Sequence, residues 1–473
     1  MTGTTLLHAQ TDTMSILRLR ISDTLTKNGL SMPTWHNPCT MATIGTDAEK
    51  TLSYLENHGF PFAEVKVYRI REANQEILEA RVIANQIIFW DSIVNVGDVR
   101  LSPRFLHPYL KIRRGTPYRE EAVKYAEEAL RSLPYIEILR PPSPTFTDRA
   151  AALYIYLGKK PANQFDGFIG FSPDETGKGM TVYGQLQLKM ANMFARGESV
   201  SVDWRRPRPE NQQLLVDGVL PCLSGTPVGL GATFDMLKND SSLHRISIPA
   251  GLRYQLKGGN SLQAYYRYER CHSTVTTSPH EDYRCDMYGI RASAGRADDA
   301  RIPHKGYRLD FTGETGRKTE SGSGERSTVA RGHCTAECFL PMGRRWVQYF
   351  RLQGGMLLDR EAGIGNMFRL GGLRSLRGMD EESVSASSYS ILTAEIRFFL
   401  DRNIFLQAFA DGGWYERKGN APYRNDHPAG CGFGLTFDSR AGLLSLNYAV
   451  AAHDGQGFRL RSAKVSVGYS AVF

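Results

Sequence analysis

The chain has 473 residues, is 41% hydrophobic and 23% charged, and carries a formal net charge of +9. That length suggests more than one domain; no apolar run approaches the roughly 20 residues of a transmembrane helix, which excludes an α-helical membrane protein but not a barrel whose strands hide their hydrophobicity in alternation. The basic excess sits singly in turns and on polar strand faces without a nucleic-acid motif, so nucleic acid is not an expected partner.

Residues 1–43 form an N-terminal segment. Leu6-Leu7-His8-Ala9-Gln10 looks like the end of an apolar export segment with its small-residue cleavage site, so the true start is expected upstream, unless an in-frame stop just precedes Met1. Ser15–Leu25 reads as either a strand or an amphipathic helix. Residues 44–85 read as a partial α+β unit. A helix spans Thr46–His58 with Thr46 and Glu49 as a capping box, Gly59 ends it, and Phe62–Arg71 and Glu76–Ala84 form a strand pair. Residues 86–160 give a complete βααββ order: strand Gln86–Val96, helices Ser102–Leu110 and Arg119–Ser132, then strands Pro134–Leu139 and Ala150–Leu157.

From residue 161 to 473 helical signal gives way to period-two alternation. Sixteen candidate strands follow, at 164–172, 179–190, 197–205, 212–220, 227–237, 243–256, 260–271, 283–294, 305–314, 326–339, 345–358, 388–399, 403–413, 430–438, 441–451 and 463–473. Most reach the 9–11 residues a membrane strand needs. Leu262, Ala264, Tyr266 and Tyr268 oppose Gln263, Tyr265, Arg267 and Glu269. Links after even strands are short, apart from Gly295–His304, and several after odd strands are long (272–282, 315–325, 359–387, 414–429 and 452–462), the arrangement of an antiparallel outer-membrane barrel. A soluble β-rich binding protein is the competing class, which solubility without detergent would reveal.

Seven cysteines contain no C-x-x-C pair, so no metal site is expected. Cys334 and Cys338 share an apolar strand face with Ala336 and read as lipid-facing, while Cys271 and Cys285 flank one outer loop, where a disulfide could form in an oxidising compartment. No G-x-S-x-G, H-E-x-x-H or P-loop occurs; neither an enzyme nor a cofactor is expected. Strand alternation points Glu395, with Thr393 and Arg397, and Asp411, with Gln407, into the lumen.

The stretch Gly371-Gly372-Leu373-Arg374-Ser375-Leu376-Arg377-Gly378 resembles the GG-x-x-S-V-R-G-[FY] loop of the BamA/TamA surface-antigen family, although Met379 replaces its final aromatic. Phe60-Pro61-Phe62-Ala63-Glu64-Val65 and the βααββ unit resemble that family's POTRA domains, though only about one and a half units are clear. Thr393–Phe398, Phe409–Gly413 and the final strand, with Tyr469 and a closing Phe473, are similar to the family's barrel text and C-terminal recognition signal.

The resemblance implies POTRA domains in the periplasm, a sixteen-stranded outer-membrane barrel, and a loop folded into its lumen with Arg377 bound to Asp411 and Glu395. It also implies unfolded barrel clients, accessory lipoproteins and outer-membrane lipid as partners, with client strands templated at the seam between first and last strands. Gly167 and Gly170 in the first strand, and Gly468 in the last, fit a weak seam, since strand-interior glycine weakens pairing. A two-partner-type secretion pore would share these parts.

Overall fold

Two small α+β units precede the barrel. The computed structural model describes residues 15–472 except 23–24, 26–28, 73–74, 174–179, 209–210, 224, 240–242, 257–258, 274–281, 300–301, 402–403, 421, 440–441 and 460–462. The apolar stretch at residues 6–10 and Phe473 lie outside the described residues.

The first unit contains β1 (Ile16–Ile21), α1 (Met41–Glu56), β2 (Glu64–Glu72) and β3 (Gln75–Ile83), with sheet order β1-β3-β2. β1 runs parallel to β3, and β2 antiparallel to it. Leu17, Ile44, Leu78 and Ala80 are buried together, as are Leu55, Phe60, Val82 and Ala84, so both clusters of the unit's core draw on α1.

Of the two readings left open for Ser15–Leu25, the structure has the strand, over Ile16–Ile21. One expectation is corrected here: α1 begins at Met41 rather than Thr46, so a boundary at 43/44 falls inside a helix. The cap is Thr40: its Oγ1 accepts from the Thr43 amide at 3.3 Å, and the Thr40 amide donates to Thr43 Oγ1 at 2.8 Å. Thr46 instead turns its hydroxyl back to Thr43 O at 2.8 Å, the bond of a residue already inside the helix. Thr40→Ala should therefore cost about 1 kcal/mol in the protection of α1 amides by hydrogen exchange, and Thr46→Ala almost nothing.

The second unit has the expected βααββ order: β4 (Phe89–Gly97), α2 (Pro103–Tyr109), α3 (Glu120–Arg131), β5 (Ile136–Thr147) and β6 (Ala150–Lys159), with sheet order β4-β6-β5. Helical spacing buries Ala122, Ala126 and Leu130 on α3, and alternation buries Ala151, Leu153, Ile155 and Leu157 on β6.

The barrel strands are β7 (Gln164–Pro173), β8 (Met180–Ala191), β9 (Ser199–Arg208), β10 (Asn211–Leu220), β11 (Val228–Asn239), β12 (Leu243–Gln255), β13 (Ser261–Ser273), β14 (Tyr283–Ala297), β15 (Gly306–Glu320), β16 (Arg326–Met342) and β17 (Trp346–Leu358). Within the β17–β20 connection lie β18 (Phe368–Leu370) and β19 (Val384–Ala386), a two-stranded hairpin of their own. The barrel resumes with β20 (Ser388–Asp401), β21 (Ile404–Arg417), β23 (Ala429–Ser439), β24 (Gly442–Ala452) and β25 (Lys464–Val472), while the short β22 (Arg424–Asp426) extends β21 at one rim. Sixteen long antiparallel strands thus close on themselves, each overlapping the segment expected for it.

Alternation sorts the two faces. Leu252, Leu262, Tyr266, Tyr288, Leu309, Leu352 and Phe433 are exposed on the outside, and Gln263, Tyr265, Glu269, Glu314 and Lys318 are buried within. Cys334 is exposed and in register with Gly354 on that outer surface. β15 runs six residues beyond the expected Glu314. Its extension alternates Thr315, Arg317 and Thr319 with Gly316, Lys318 and Glu320, so no apolar side chain marks it as strand. Cys271 and Cys285 are buried and form no disulfide. They are in register with Tyr283 and Glu269 respectively, a two-residue offset in place of the contemplated disulfide.

Candidate functional site

The connection 359–387 is fastened at two places. Its first half carries a 3₁₀ turn at Ile364–Asn366, and Ala362 and Met367 pack with Leu243, Cys271, Tyr283, Met287, Val329 and Leu357 of the barrel wall. Under that apolar cover, Lys318 Nζ meets Asp359 Oδ2 at 3.0 Å, and neither side chain is exposed. Lys318 also donates to Glu361 O at 2.6 Å, Asn366 Nδ2 donates to Asp359 at 2.7 Å, and Arg245 Nη1 donates to Gly365 O at 2.9 Å.

Sequence reasoning missed this anchor because Lys318 falls where a loop was expected, in an extension of β15 that has no apolar row to signal a strand. Lys318→Met leaves Asp359 with the Asn366 amide and the Glu361 N–H alone. The loss should be about 3 kcal/mol in the docking of 359–367, measured by hydrogen exchange across that segment.

The second half holds the glycine-rich stretch. β18 and β19 lift it as a hairpin, and Gly371, Gly372 and Gly378 all have positive φ, +112°, +86° and +92°. Gly371 N donates to Ser375 Oγ at 2.7 Å and Gly372 N to Leu376 O at 3.1 Å, tightening the turn that presents Arg377. At Gly378 a Cβ would come within 2.5 Å of the Val450 backbone, so only glycine lets the chain run this close to β24.

Arg377 then reaches β20 and β21. Its Nε lies 2.8 Å from Asp411 Oδ2, its Nη2 2.8 Å from Asp411 Oδ1, and its Nη1 2.9 Å from Glu395 Oε2. The Arg377 amide adds a bond to Asp411 at 3.1 Å. Thr393 Oγ1 donates to Asp411 Oδ1 at 2.8 Å, and Arg397 Nε donates to Glu395 Oε1 at 2.7 Å. Two guanidinium groups thus balance two carboxylates, and every carboxylate oxygen is served, the condition under which a buried ionic network is tolerated.

The Arg377 guanidinium sits 3.4 Å over the Phe409 ring. Arg397 packs among Tyr349, Phe405 and Phe339 at 4.6, 5.2 and 5.7 Å. The structure therefore brings together Arg377, Glu395 and Asp411. It adds Phe409 and the bonding roles of Thr393 and Arg397, all legible as members of the same inward-facing rows. Arg374 and Glu382 tie the hairpin to β9 through Asp203 at 3.4 Å and Arg205 at 3.5 Å.

The other candidate residues lie at the seam and not at the loop. β25 and β7 share three residue pairs, Ser470 with Asp166, Ala471 with Phe165 and Val472 with Gln164. β14 and β15, by contrast, share fifteen. Gly167 and Tyr469 are the first residues beyond the last seam pair; Gly468 and Gly170 follow them. Gly167 keeps its partner Leu186 on β8, and Gly468 its partner Ser445 on β24.

Among the described residues, Glu320, Glu325 and Glu361 bring carboxylate oxygens within 4.8 Å of one another, with Ser323 Oγ donating to Glu320 at 3.1 Å. Glu361 belongs to the first half of the 359–387 connection, whereas among the described residues the Arg377 network and the seam involve no such cluster.

A family model described as the Omp85 superfamily domain matches residues 192–470. Among solved structures the chain is similar to CdiB from Escherichia coli, at 14% identity and TM-score 0.69, covering 100% of this chain and 93% of that one. It is also similar to CdiB from Acinetobacter baumannii, at 14% identity and TM-score 0.64, covering 98% and 91%. BamA from Haemophilus ducreyi lacking POTRA domains 1–3 matches at 14% identity and TM-score 0.52, covering 97% and 99%. At such identities the likeness is one of fold. No curated protein matches the sequence.

Proposed function

The chain belongs to the Omp85 superfamily and is an outer-membrane β-barrel protein, and from that premise we propose that it assembles other barrels, inserting unfolded clients at its own seam. The observation that carries this reading is the three-pair junction of β25 with β7. A strand edge paired over so little of its length exposes N–H and C=O groups that another chain's strand can take up. In lipid those groups have no water to satisfy them, so a client strand is the partner that removes the cost.

The two α+β units serve as periplasmic POTRA domains in this reading. β2 is an edge of the β1-β3-β2 sheet and mostly exposed, and β5 is an edge of the second sheet. Either can hold an extended client by strand addition before it reaches the barrel. The free energy comes from client folding and burial in lipid, with no nucleotide or metal. The fastened loop keeps the lumen occupied while the client folds outside it.

The test is reconstitution of the purified chain in lipid vesicles with a urea-unfolded outer-membrane barrel as client. Heat-modifiable, protease-protected client should accumulate faster than in empty vesicles. No gain over empty vesicles, together with large steady conductance across a planar bilayer, would overturn the reading in favour of a two-partner-type secretion pore.

A further inference from the structure

The outer surface of the barrel carries charges where an apolar wall would be expected to end. On β13 and β14, Arg270 and Arg284 are directly opposite each other and both exposed. The same rung continues through Thr319 on β15 to Arg326 on β16, and Arg317 stands one step below, opposite Asp286. Like charges directly opposed in a ladder destabilise it. Four arginines spread over four neighbouring strands therefore call for counter-charge.

Among the described residues, Asp282 faces Arg270 and Asp286 faces Arg284 and Arg317, two carboxylates against four arginines. Asp286 takes Arg284 Nε at 3.0 Å and Nη2 at 3.1 Å, and also accepts from Tyr266 Oη. Asp282 is held by His272 Nδ1 at 2.8 Å and Ser321 Oγ at 2.6 Å. Among the described residues, no ion pair closes on Arg270, Arg317 or Arg326.

Position identifies the kind of anion. Below the rung the same face presents Tyr268, Tyr266 and Tyr288, then Ile290, with the Tyr266 and Tyr288 rings 5.5 Å apart. On β14 this face runs from Arg284 to Arg296. Twelve residues at about 3.3 Å each, tilted by about 40°, span about 30 Å of height, the thickness of a hydrocarbon core. The arginine rung thus stands at the headgroup level above an aromatic belt. It lies on the rim of the 359–387 connection, since Arg284 is at the same end of the barrel as Leu357.

We propose that Arg270, Arg284, Arg317 and Arg326 form a docking site for a phosphorylated lipid of the membrane leaflet at that rim, its phosphate seated between the opposed guanidinium groups and its acyl chains along Ile248, Tyr266, Tyr288 and Ile290. Guanidinium forks match phosphate oxygens in pairs, and acyl chains cover the apolar surface immediately below. The inference is independent of the assembly reading.

The full chain in dodecyl maltoside micelles is titrated with phosphatidic acid and with phosphatidylcholine of equal acyl chains, and retained lipid is measured by mass spectrometry. The wild type should prefer phosphatidic acid, the preference should shrink as salt rises, and inorganic phosphate should not displace the lipid. Two surface charges contribute about fivefold each, so Arg270→Gln with Arg284→Gln should weaken retention about twenty-fivefold. Arg296→Gln, at the opposite end of the same face, should leave it unchanged. If the double glutamine variant fails to give a heat-modifiable barrel, Arg270→Lys with Arg284→Lys keeps the charge without the fork and should fall between. Equal retention of the two lipids, retention unaffected by the double substitution, or displacement by inorganic phosphate each overturns the site.

Discussion

Replacing Arg377 with glutamate should release the lumenal loop while leaving the barrel closed. Arg377 makes three side-chain bonds to Asp411 and Glu395 and lies over Phe409, all at a position 7% exposed. Removing one partner of a buried pair costs about 3–5 kcal/mol, and glutamate adds repulsion from two carboxylates that no longer have their cation. A loop weakened by that much spends at least about a hundredfold more time undocked. Protease cleavage within 359–387 should rise in intact cells, and client assembly should fall, while heat-modifiability of the barrel persists because the strand ladder is untouched. Arg377→Lys should lie between, keeping a charge but losing the bidentate fork. Asp411→Arg in the glutamate variant should restore docking in part only, since the Thr393 bond to Asp411 is lost with it. A glutamate variant with wild-type cleavage and assembly would show that this network does not hold the loop.

What was legible in the sequence follows from which physical signals are local. Each membrane strand must satisfy lipid on one side and a polar lumen on the other, so its register is written in its own alternation; Leu262 to Glu269 is enough to orient β13. Glu395 and Asp411 were readable as inward for the same reason, and three glycines in eight residues marked a turn that Cβ atoms would obstruct. Signals that depend on what a strand meets were harder to read. The upper part of β15 has no apolar face because it stands beyond the lipid, so Lys318 read as loop, and its partner Asp359 lies 41 residues on. The helix start at Met41 was hidden because a Thr40–Thr43 reciprocal cap lacks the acidic third residue of the common pattern. Cys271 and Cys285 flank one connection in sequence, but bridging depends on register, and the ladder sets them two residues out of step. The extent of the seam is the least local quantity of all. It depends on how fifteen earlier pairings accumulate around the barrel, and nothing in β7 or β25 alone reports that three pairs remain.

Locking that junction should abolish client assembly without unfolding the protein. The seam register sums to a fixed value, so Asp166 with Ser470 is a paired position, and Phe168 with Gly468 is where the ladder would continue if it zipped further. The native cysteines are first removed, with alanine in place of the buried Cys39, Cys271 and Cys285. Cysteines at 166 and 470 should then crosslink readily, because the strands already meet there. Cysteines at 168 and 468 should crosslink more slowly, at the rate at which the strands approach, and the comparison measures how far the junction closes spontaneously. Once either bond forms, no client strand can enter between β25 and β7, and assembly should drop to the level of empty vesicles, with reductant restoring it. A locked barrel should still be heat-modifiable, since each of its other junctions retains seven or more pairs. The strained alternative, in which crosslinking merely damages the protein, predicts that reductant fails to rescue. Full assembly by a variant shown to be crosslinked at both positions would mean that clients never use the seam. The polypeptide route would then run through the lumen, past the Arg377 network, and the secretion-pore reading would replace the one proposed.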